Sequence, residues 1–436
     1  MAAHFAYRNA QSQPQRYRRS RRSELAIWWR EIDRVLLLLV LAMMAIGTVA
    51  VAAASPASAR RLSTAGKQLD ELHFFVLHLR WQLVGIMAML GASMMPRELA
   101  RRTGILLGSA MLVGLVLVPI IGSEVNGARR WLNLGISLQP SEFLKPAFAI
   151  SIAWVMSWRV RDPNLPVMEI SVAIMGVIAV LLMLQPDLGA TILFGGVWIV
   201  LLLLSGLNVK RIAGLGVAGI VLIVAAYVFY DNARHRIDSF IGGGTAYDQV
   251  DLAQRTLIAG GWTGSGLWLG TKKLSLPEAH TDYIFSVIGE EFGLLACAVI
   301  VLLYLAFIAR VLLRLVEEED LFTVLAAAGL AAQLGGQAFI NILVNLQLFP
   351  SKGMTLPLIS YGGSSTVALC LGVGFLLAIT RRNPFLQRER FSLREASVAR
   401  PVTGPISRPV AGPVAGSVAG PIAGKAPAVP KGQHPK

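Results

Sequence analysis

One stretch of the chain, KKLSLPEAHTDYIFSVIGEEFG at residues 272–293, places acidic side chains at the start of a long apolar segment. The side chains at this boundary that could take part in chemistry are His280, Thr281, Asp282, Glu290 and Glu291. A carboxylate at the edge of an apolar segment is costly unless it has a partner or a task. Asp282 is therefore the first candidate for a reactive group, and a cap for the following helix is the structural alternative. No second His or Cys stands near His280, which argues against a metal ligand there.

A second charged motif, NGARRWLNLGISLQPSEFLKP at residues 126–146, contains a Pro-Ser pair that favours the start of a helix. Glu142 and Lys145 then lie three residues apart on one helix face. Two interpretations stay open: an ion pair that neutralises itself, or a charged group facing a cavity. In the second, Arg129, Arg130 and Lys145 would offer cations to an anionic substrate group such as a phosphate.

A third motif, FPSKGMTLPLISYGGSS at residues 349–365, contains two Pro and three Gly. Such a run interrupts a helix and exposes backbone N–H groups where the next helix begins, and these groups attract anions. Its candidate substrate-binding residues are Lys352, Ser360, Gly362 and Gly363. Close helix packing through the small residues is the alternative.

Polar side chains also recur every four residues within an apolar segment, at Gln333, Gln337, Asn341 and Asn345. Four helical steps of about 100° return nearly to the same face, so these side chains form a stripe. A polar stripe in an apolar helix must face other helices or water. Interhelical hydrogen bonding and the lining of a substrate groove both fit, and we expect Gln337 and Asn341 to support the site.

Composition indicates a membrane protein, since the chain is 55% hydrophobic and 15% charged with a mean hydropathy of +0.60. The formal charge is +15, and residues 1–30 and 381–436 together supply 14 of these charges. Basic ends that flank membrane spans fit contact with anionic lipid headgroups and do not indicate a nucleic-acid groove. Cys297 and Cys370 both lie in apolar segments, and no metal-binding motif is visible.

Ten apolar segments approach the ~20 residues needed to cross a membrane. They are residues 34–54, 74–95, 104–122, 143–160, 168–184, 187–206, 211–230, 283–309, 321–345 and 357–380. We therefore expect an all-α integral membrane protein whose ten-helix domain, residues 34–380, follows a basic N-terminal tail at 1–33. A disordered Pro/Gly/Ala/Val-rich tail at 381–436 completes the chain.

Short basic loops predict that both ends lie in the cytoplasm. The long connection 231–282, between the seventh and eighth spans, then forms a large outer loop. Its GGWTGSGLWLG run indicates tight backbone packing or a re-entrant segment.

The motifs NGARRW, QPSEFLK, QPDLG, LPEAHTDYIFSVIGEE and PSKGMTLPLISYGGSS, in this order, resemble those of the SEDS family, which includes FtsW, RodA and a sporulation relative. The resemblance covers roughly residues 30–385 and includes the ten-span layout. PEAHTDYIF, the Lys352 in P-x-K-G-x-T-L-P and the basic N-terminal tail look more like FtsW members than RodA members. Gln347 and Trp268 depart from the pattern, because the family usually has Gly at the first position and a small residue at the second.

The resemblance implies a peptidoglycan glycosyltransferase that polymerises lipid II at the outer face of the bacterial inner membrane during septal wall synthesis. Asp282 matches the family's catalytic Asp, and Glu142 and Lys145 match its functionally important Glu and Lys. An inverting transfer needs a base for the acceptor hydroxyl while undecaprenyl diphosphate departs on the opposite face. Asp282 is our hypothesis for that base.

Charge stabilisation of the leaving diphosphate would come from Arg129, Arg130, Lys145 and Lys352. A divalent cation, Mg²⁺ or Mn²⁺, is a candidate cofactor, although the sequence shows no motif for it. We expect His280, Thr281 and Glu290 to support Asp282 without reacting. The resemblance also implies partners, namely a class B penicillin-binding protein (an FtsI-like transpeptidase) and other divisome proteins at the division septum.

Three rival functions remain open at this point. A RodA-type glycosyltransferase for cell elongation is the nearest. A lipid II flippase or other transporter would also have many spans, intramembrane charges and broken helices, although transporter sites usually lie near the midplane of the bilayer. The third is a non-catalytic scaffold that recruits a transpeptidase.

Overall fold

The computed structural model describes residues 21–64, 66, 68–125, 128–133, 135, 137–229, 234, 238, 242, 249–350 and 353–382. Within these residues the chain is predominantly helical, as predicted. The helices are α1 (Arg21–Glu31), α2 (Arg34–Leu62), α3 (His73–Ser93), α4 (Arg97–Ile121), α5 (Pro140–Ser157), α6 (Val167–Leu184), α7 (Leu188–Leu204), α8 (Val209–Phe229), α9 (Gln249–Ala259), α10 (Ile284–Leu315), α11 (Leu321–Asn345) and α12 (Ser364–Ile379). Lys352 and most of both predicted tails lie outside the described residues.

Seven of the described helices are long and apolar enough to cross a membrane: α2, α3, α4, α6, α8, α10 and α11. Helices α7 and α12 are apolar but shorter, with 17 and 16 residues. Helix α5 has 18 residues and carries Glu142 and Lys145 near its start. These ten helices overlap the ten predicted segments, and the chain is a multi-pass membrane protein.

Two predicted boundaries had different outcomes. The break between the fifth and sixth spans is confirmed, because α6 ends at Leu184 and Asp187 caps α7 by accepting the backbone N–H of Ala190 at 3.1 Å. The tenth helix begins at Ser364, later than the predicted residue 357. Leu358 and Gly363 have φ angles of +65° and +52°, which a right-handed helix cannot contain.

A small antiparallel sheet in the connection between α4 and α5 was not predicted. It consists of β1 (Ser123–Val125), β2 (Ala128–Asn133) and β3 (Ser137–Leu138), with β2 in the centre. Leu132 is 4% exposed and packs the sheet against α4. A Cβ added to Gly114 of α4 would lie 3.8 Å from Cδ1 of Leu132. Successive residues of a strand point to opposite faces, so Arg129 and Arg130 diverge.

Helix α10 is broken at Gly293, whose φ of 82° and ψ of 175° lie outside the helical region. The break frees backbone N–H groups that need partners near a membrane. The loop after α9 supplies them, since the carbonyl oxygens of Gly261 and Trp262 accept from the N–H groups of Leu294 and Leu295 at 3.0 and 3.2 Å. The tight backbone packing predicted for the GGWTGSGLWLG run is thereby confirmed.

The same loop also pairs with the last turn before the break. Ser265 and Gly266 donate their N–H groups to the carbonyl oxygens of Glu290 and Glu291 at 2.8 and 3.0 Å. Glycine is required within this contact: Gly264 has a φ of +84°, and an added Cβ there would lie 2.2 Å from the carbonyl oxygen of Glu291.

Helix α11 lies at the centre of the bundle. Of the 18 residues in its apolar stretch, 72% are buried, which is the largest share among the seven long apolar helices. It packs against α5, α7, α10 and α12. The polar stripe along α11 is therefore surrounded by protein on several sides, which fits the prediction that it faces other helices.

Candidate active site

Two asparagines of α11 hold the backbone at Asp282. Asn341 and Asn345 donate through Nδ2 to the carbonyl oxygen of Asp282 at 2.8 and 3.2 Å. Asn345 also accepts through Oδ1 from the backbone N–H and the hydroxyl of Ser286, at 3.2 and 2.7 Å. Both asparagines are almost completely buried, while Asp282 is half-buried. The amide pair therefore fixes the start of α10 and leaves the carboxylate at a partly open position.

The N-cap position of α10 falls on Tyr283, one residue after Asp282. The simplest form of the helix-cap alternative placed Asp282 itself at that position. Tyr283 makes no side-chain cap hydrogen bond, and the role of Asp282 remains a prediction.

The loop before α12 closes over the same position. Asn341 donates through its Nδ2 to the carbonyl oxygen of Met354 at 2.7 Å, and the backbone N–H of Tyr361 donates to the carbonyl oxygen of His280 at 3.0 Å. A Cβ added to Gly353 would lie 3.4 Å from Asp282 Oδ2. The third motif thus contacts the first through backbone groups, and Gly353 leaves room for the carboxylate.

Glu142 and Lys145 form a buried ion pair with an Oε1–Nζ distance of 2.7 Å, and their side chains are 13% and 3% exposed. Lys145 also donates to Gln337 Oε1 at 3.2 Å. Glu142 accepts through Oε2 from the hydroxyl of Ser365 at 2.9 Å. Because a buried charge is tolerated only with partners, the pair is held by α11 on one side and by the start of α12 on the other.

Gln337 links the ion pair to the loop before α12. Its Nε2 donates to the backbone oxygen of Thr355 at 3.0 Å, next to Met354, which Asn341 contacts. One connected network of hydrogen bonds therefore runs from Asp282 through Asn341, the loop and Gln337 to the ion pair. The three motifs meet at the ends of α5, α10, α11 and α12.

His280 is 5% exposed and packs between aromatic rings, with centroid distances of 4.1 Å to Phe74 and 5.4 Å to Tyr361. Burial lowers the pKa of His280 from 6.5 to about 4, because its charged form would lose hydration. Its Nδ1 is buried without a hydrogen-bond partner among the described residues. The ring is thus neutral at pH 7 and supports the segment before Asp282 by packing.

The remaining predicted residues near the site are occupied by local contacts. Thr281 donates through Oγ1 to Glu278 Oε2 at 2.8 Å, and the buried Ser360 accepts through Oγ from the N–H of Leu356 at 2.8 Å. Gly363 is the N-cap residue of α12. A Cβ added to Gly362 would lie 3.1 Å from the Cβ of Ser365, so Gly362 packs closely against that residue. These contacts shape the loop, and their predicted role in substrate binding remains a prediction.

Glu290 and Glu291 bind the outer loop. Glu290 accepts from the backbone N–H groups of Lys272 and Lys273 at 2.6 and 2.9 Å. Glu291 pairs with the ammonium of Lys273, which also donates to the carbonyl oxygen of Ala53 in α2 at 3.0 Å. Both carboxylates are 1% exposed. The described contacts of Glu290 are with this loop, so any support that it gives Asp282 passes through the loop.

The place of Lys273 in this cluster was not predicted from the sequence. A lysine at the end of a polar loop gives no local signal of burial, and its partner in α10 is brought close only by the folding of the loop.

The predicted phosphate-binding cations have different surroundings. Arg130 donates through Nε and Nη2 to the carbonyl oxygens of Gln185 and Pro186, at 3.1 and 2.5 Å. Arg129 pairs with Glu124 at 3.4 Å, and both side chains are more than half exposed. The contacts of Arg130 thus fix the turn between α6 and α7, whereas the exposed Arg129 is available to other groups. Lys352 lies outside the described residues.

Among the described residues, no three His, Cys, Asp or Glu side chains lie close enough together to hold a metal ion. The side chains around Asp282 offer amides, hydroxyls and one ion pair.

Comparison with known proteins gives three findings. Residues 33–384 match the family model FTSW_RODA_SPOVE, described as "Cell cycle protein". The chain is 34% identical to the "Probable peptidoglycan glycosyltransferase FtsW" of Caulobacter vibrioides over 371 residues, which is 84% of this chain and 94% of the relative. It is 36% identical to the protein of the same name from Trichlorobacter lovleyi over 365 residues, 80% of this chain and 93% of the relative.

Two solved structures have a similar fold. A chain described under "Structural coordination of polymerization and crosslinking by a peptidoglycan synthase complex" has 26% identity and a TM-score of 0.65, covering 83% of this chain and 99% of that one. The Rod shape determining protein RodA of Thermus thermophilus has 26% identity and a TM-score of 0.60, covering 81% and 97%.

Proposed function

The chain belongs to the cell cycle protein family of FtsW, RodA and SpoVE, and we propose that it is an FtsW-type peptidoglycan glycosyltransferase that polymerises lipid II in septal wall synthesis. The observation that supports this most directly is the network around Asp282. A half-buried carboxylate, whose backbone is held by two buried asparagines, lies at the helix ends where the Glu142–Lys145 pair is also found. Such a rigid frame suits a group that must meet a reacting atom at a fixed place.

The reaction joins two lipid-linked saccharides. The acceptor hydroxyl oxygen attacks the anomeric carbon of the donor, the new C–O bond forms on the β face, and the bond to the diphosphate oxygen breaks. The hydroxyl proton passes to the Asp282 carboxylate, which acts as general base. The electron pair of the broken bond leaves with undecaprenyl diphosphate, and inversion follows from attack opposite the leaving group.

The hydrogen-bond network links the Asp282 carboxylate's segment to the ammonium group of Lys145 in the ion pair. Glu142, Gln337 and Ser365 fix the positions of Lys145 and of the first turn of α12. The N–H groups at the start of α12 and the ammonium of Lys145 are donors suited to the developing charge on the diphosphate. Arg129 and Lys352 complete the proposed set of cations, whereas Arg130 acts by fixing the turn before α7.

A divalent cation, Mg²⁺ or Mn²⁺, remains part of the proposal and would supply positive charge for the leaving diphosphate. The described residues lack a cluster of three protein ligands. Such a cation would therefore be bound chiefly through the substrate and water, and no step above depends on it.

We also propose the arrangement in the bacterial inner membrane. Ten helices cross it, both termini lie in the cytoplasm, and the loop between α8 and α10 lies outside with Asp282, where lipid II is consumed. A class B penicillin-binding protein of the FtsI type and other divisome proteins are the proposed partners at the septum. The similar chain from a peptidoglycan synthase complex supports the first of these partners.

The break in α10 would also suit a lipid II transporter, because discontinuous helices are common in transporters. In this chain the freed backbone groups at Gly293 are bonded to the loop after α9, and Glu290 and Glu291 are bonded to the same loop. These groups hold a structural loop, which favours the glycosyltransferase. A RodA-type elongation role differs in cellular location, and a fluorescent fusion at midcell or along the side wall distinguishes the two.

The direct test uses the purified protein with its transpeptidase partner and lipid II. We expect the wild type to form glycan polymer and Asp282→Asn to lose at least about 100-fold in rate, the contribution typical of a general base. Asp251→Asn, at a carboxylate of α9 that is 21% exposed and pairs with Arg255 outside the network around Asp282, is the matched control and should keep the wild-type rate. Undiminished polymerisation by Asp282→Asn would contradict the base assignment. Lipid II translocation in liposomes without polymer would favour the transporter.

A further inference from the structure

Arg80 is an exposed cation on an apolar face of α3. Its neighbours at helical spacing are the exposed side chains of Val76, Leu83, Val84 and Met87, with 43, 61, 43 and 57% exposure. No described residue forms a hydrogen bond or an ion pair with Arg80. Apolar side chains exposed on a membrane span face lipid, so the charge of Arg80 is presented to the bilayer.

The position of Arg80 within the membrane span favours an anionic partner for its charge. It lies seven residues into α3, about 10 Å from the start of the helix at a rise of about 1.5 Å per residue. A charged side chain at that level is costly, and long cationic side chains extend towards the lipid phosphates to reduce the cost. A guanidinium binds a phosphate with two parallel hydrogen bonds, so a lipid phosphate is the ligand that fits best.

Arg80 also lies close to the candidate site. The indole ring of the next residue, Trp81, lies 3.8 Å from the position of an added Cβ on Gly363. About two turns before Trp81 on α3, Phe74 packs against the ring of His280, two residues before Asp282. The helix that presents Arg80 to lipid thus forms one wall of the site.

Three other described cations near the site differ from Arg80 in having a contact within the protein. Lys145 is paired with Glu142, Arg130 donates to two carbonyl oxygens, and Arg129 is paired with Glu124. We infer that Arg80 binds the diphosphate of the polyprenyl-linked substrate as it enters the site from the bilayer. The polyprenyl chain then lies along the apolar face of α3 formed by Val76, Leu83, Val84 and Met87.

This inference rests on the proposed function, because a lipid diphosphate must be the substrate. Arg80 binds the substrate and takes no part in the proton transfer at Asp282. Loss of Arg80 should therefore weaken substrate binding and leave the rate of the chemical step unchanged. A variant that lost its structure would instead lose the chemical step as well.

The test measures glycan polymerisation by wild type, Arg80→Ala and Arg80→Lys in a phosphate-free maltoside detergent and in phospholipid nanodiscs. We expect Arg80→Ala to raise the KM for lipid II about 10- to 100-fold with kcat within about twofold, as for loss of a charge-assisted contact. Arg80→Lys should recover part of the affinity. Inhibition by undecaprenyl diphosphate, which carries no sugar, should weaken by the same factor as the KM rises.

Arg60→Ala is the matched control, because Arg60 is an exposed cation at the end of α2 that already pairs with Glu71. Its KM should equal that of the wild type. A defect of Arg80→Ala that vanishes in phosphate-free detergent would show that Arg80 binds bulk phospholipid headgroups, and would overturn the inference. An unchanged KM and inhibition, with an active wild type, would also overturn it. An inactive wild type would contradict the proposed function itself.

Discussion

Asn341 donates a hydrogen bond of 2.8 Å from its side-chain amide to the backbone carbonyl oxygen of Asp282, and so fixes the candidate base through its main chain. The same Nδ2 reaches Met354 at 2.7 Å, so a single amide joins the first and third motifs. Asn341 is 2% exposed. Because buried carbonyl groups need partners, this amide determines where two loops meet.

The first prediction concerns this amide. Asn341→Ala leaves the carbonyl oxygen of Met354 without its donor and that of Asp282 with Asn345 alone, and we expect kcat for polymerisation to fall about 100-fold, as for a reacting group displaced by about 1 Å. The KM for lipid II should change much less, since the variant keeps the cations. A steady-state measurement of both parameters in the purified complex checks this. Gln333→Ala, about two turns earlier on the same stripe, is the control, and an equal loss of kcat there would remove the special role of Asn341.

The second prediction concerns the Glu142–Lys145 pair. Either Glu142→Gln or Lys145→Met leaves one buried charge alone, which should reduce stability by about 3–5 kcal/mol. The double variant removes both charges and should recover much of the thermal stability. Because Lys145 is proposed to stabilise the diphosphate, the double variant should remain inactive. Recovery of both stability and activity would mean that the pair is only structural.

The arrangement of the helices and the positions of the motifs could be predicted from apolar length and from helix-breaking residues. Two features could not. The break at Gly293 depends on partners from a loop about 30 residues earlier in the chain, and a glycine inside an apolar run gives no local sign of it. The contacts of Arg130 with the turn at Gln185 and Pro186 likewise depend on how β2 packs against the turn between α6 and α7. Sequence alone assigned this guanidinium to a phosphate because charge is visible in a sequence and a carbonyl partner is not.

The third prediction follows from the end of α11. Leu348 N–H donates to the carbonyl oxygen of Leu343 at 2.8 Å, and Gln347 N–H donates to that of Val344 at 3.1 Å. This is a Schellman motif, and its residue with positive φ is Gln347 at +57°. Glycine adopts that conformation without strain, which explains why the family usually has Gly there.

Gln347→Gly should therefore stabilise the protein by up to about 1 kcal/mol, the lower end of the strain expected for a non-glycine residue in this conformation. Gln347→Val, with a branched Cβ, should lower the stability instead. Thermal unfolding of the purified variants, followed by fluorescence, measures both shifts. An unchanged or lower midpoint for the glycine variant would show that the side chain of Gln347 contributes more than its backbone strain removes.

The last prediction uses the pH dependence of His280. Its folded pKa of about 4 lies below the ordinary 6.5, so the unfolded chain binds a proton first as the pH falls. Stability that is present above pH 6.5 is therefore lost progressively down to about pH 4. At pH 5 the loss of folding stability from this group is at most about 2 kcal/mol, from about 1.4 kcal/mol per pH unit.

His280→Phe keeps the ring packing on Phe74 and Tyr361 but cannot be protonated, so its thermal midpoint should fall less between pH 7.5 and 5 than that of the wild type. His280→Gln should show the same weak pH dependence with a lower midpoint at pH 7.5, because it loses the ring. A wild-type fall in midpoint that both variants retain would assign the acid sensitivity to other groups.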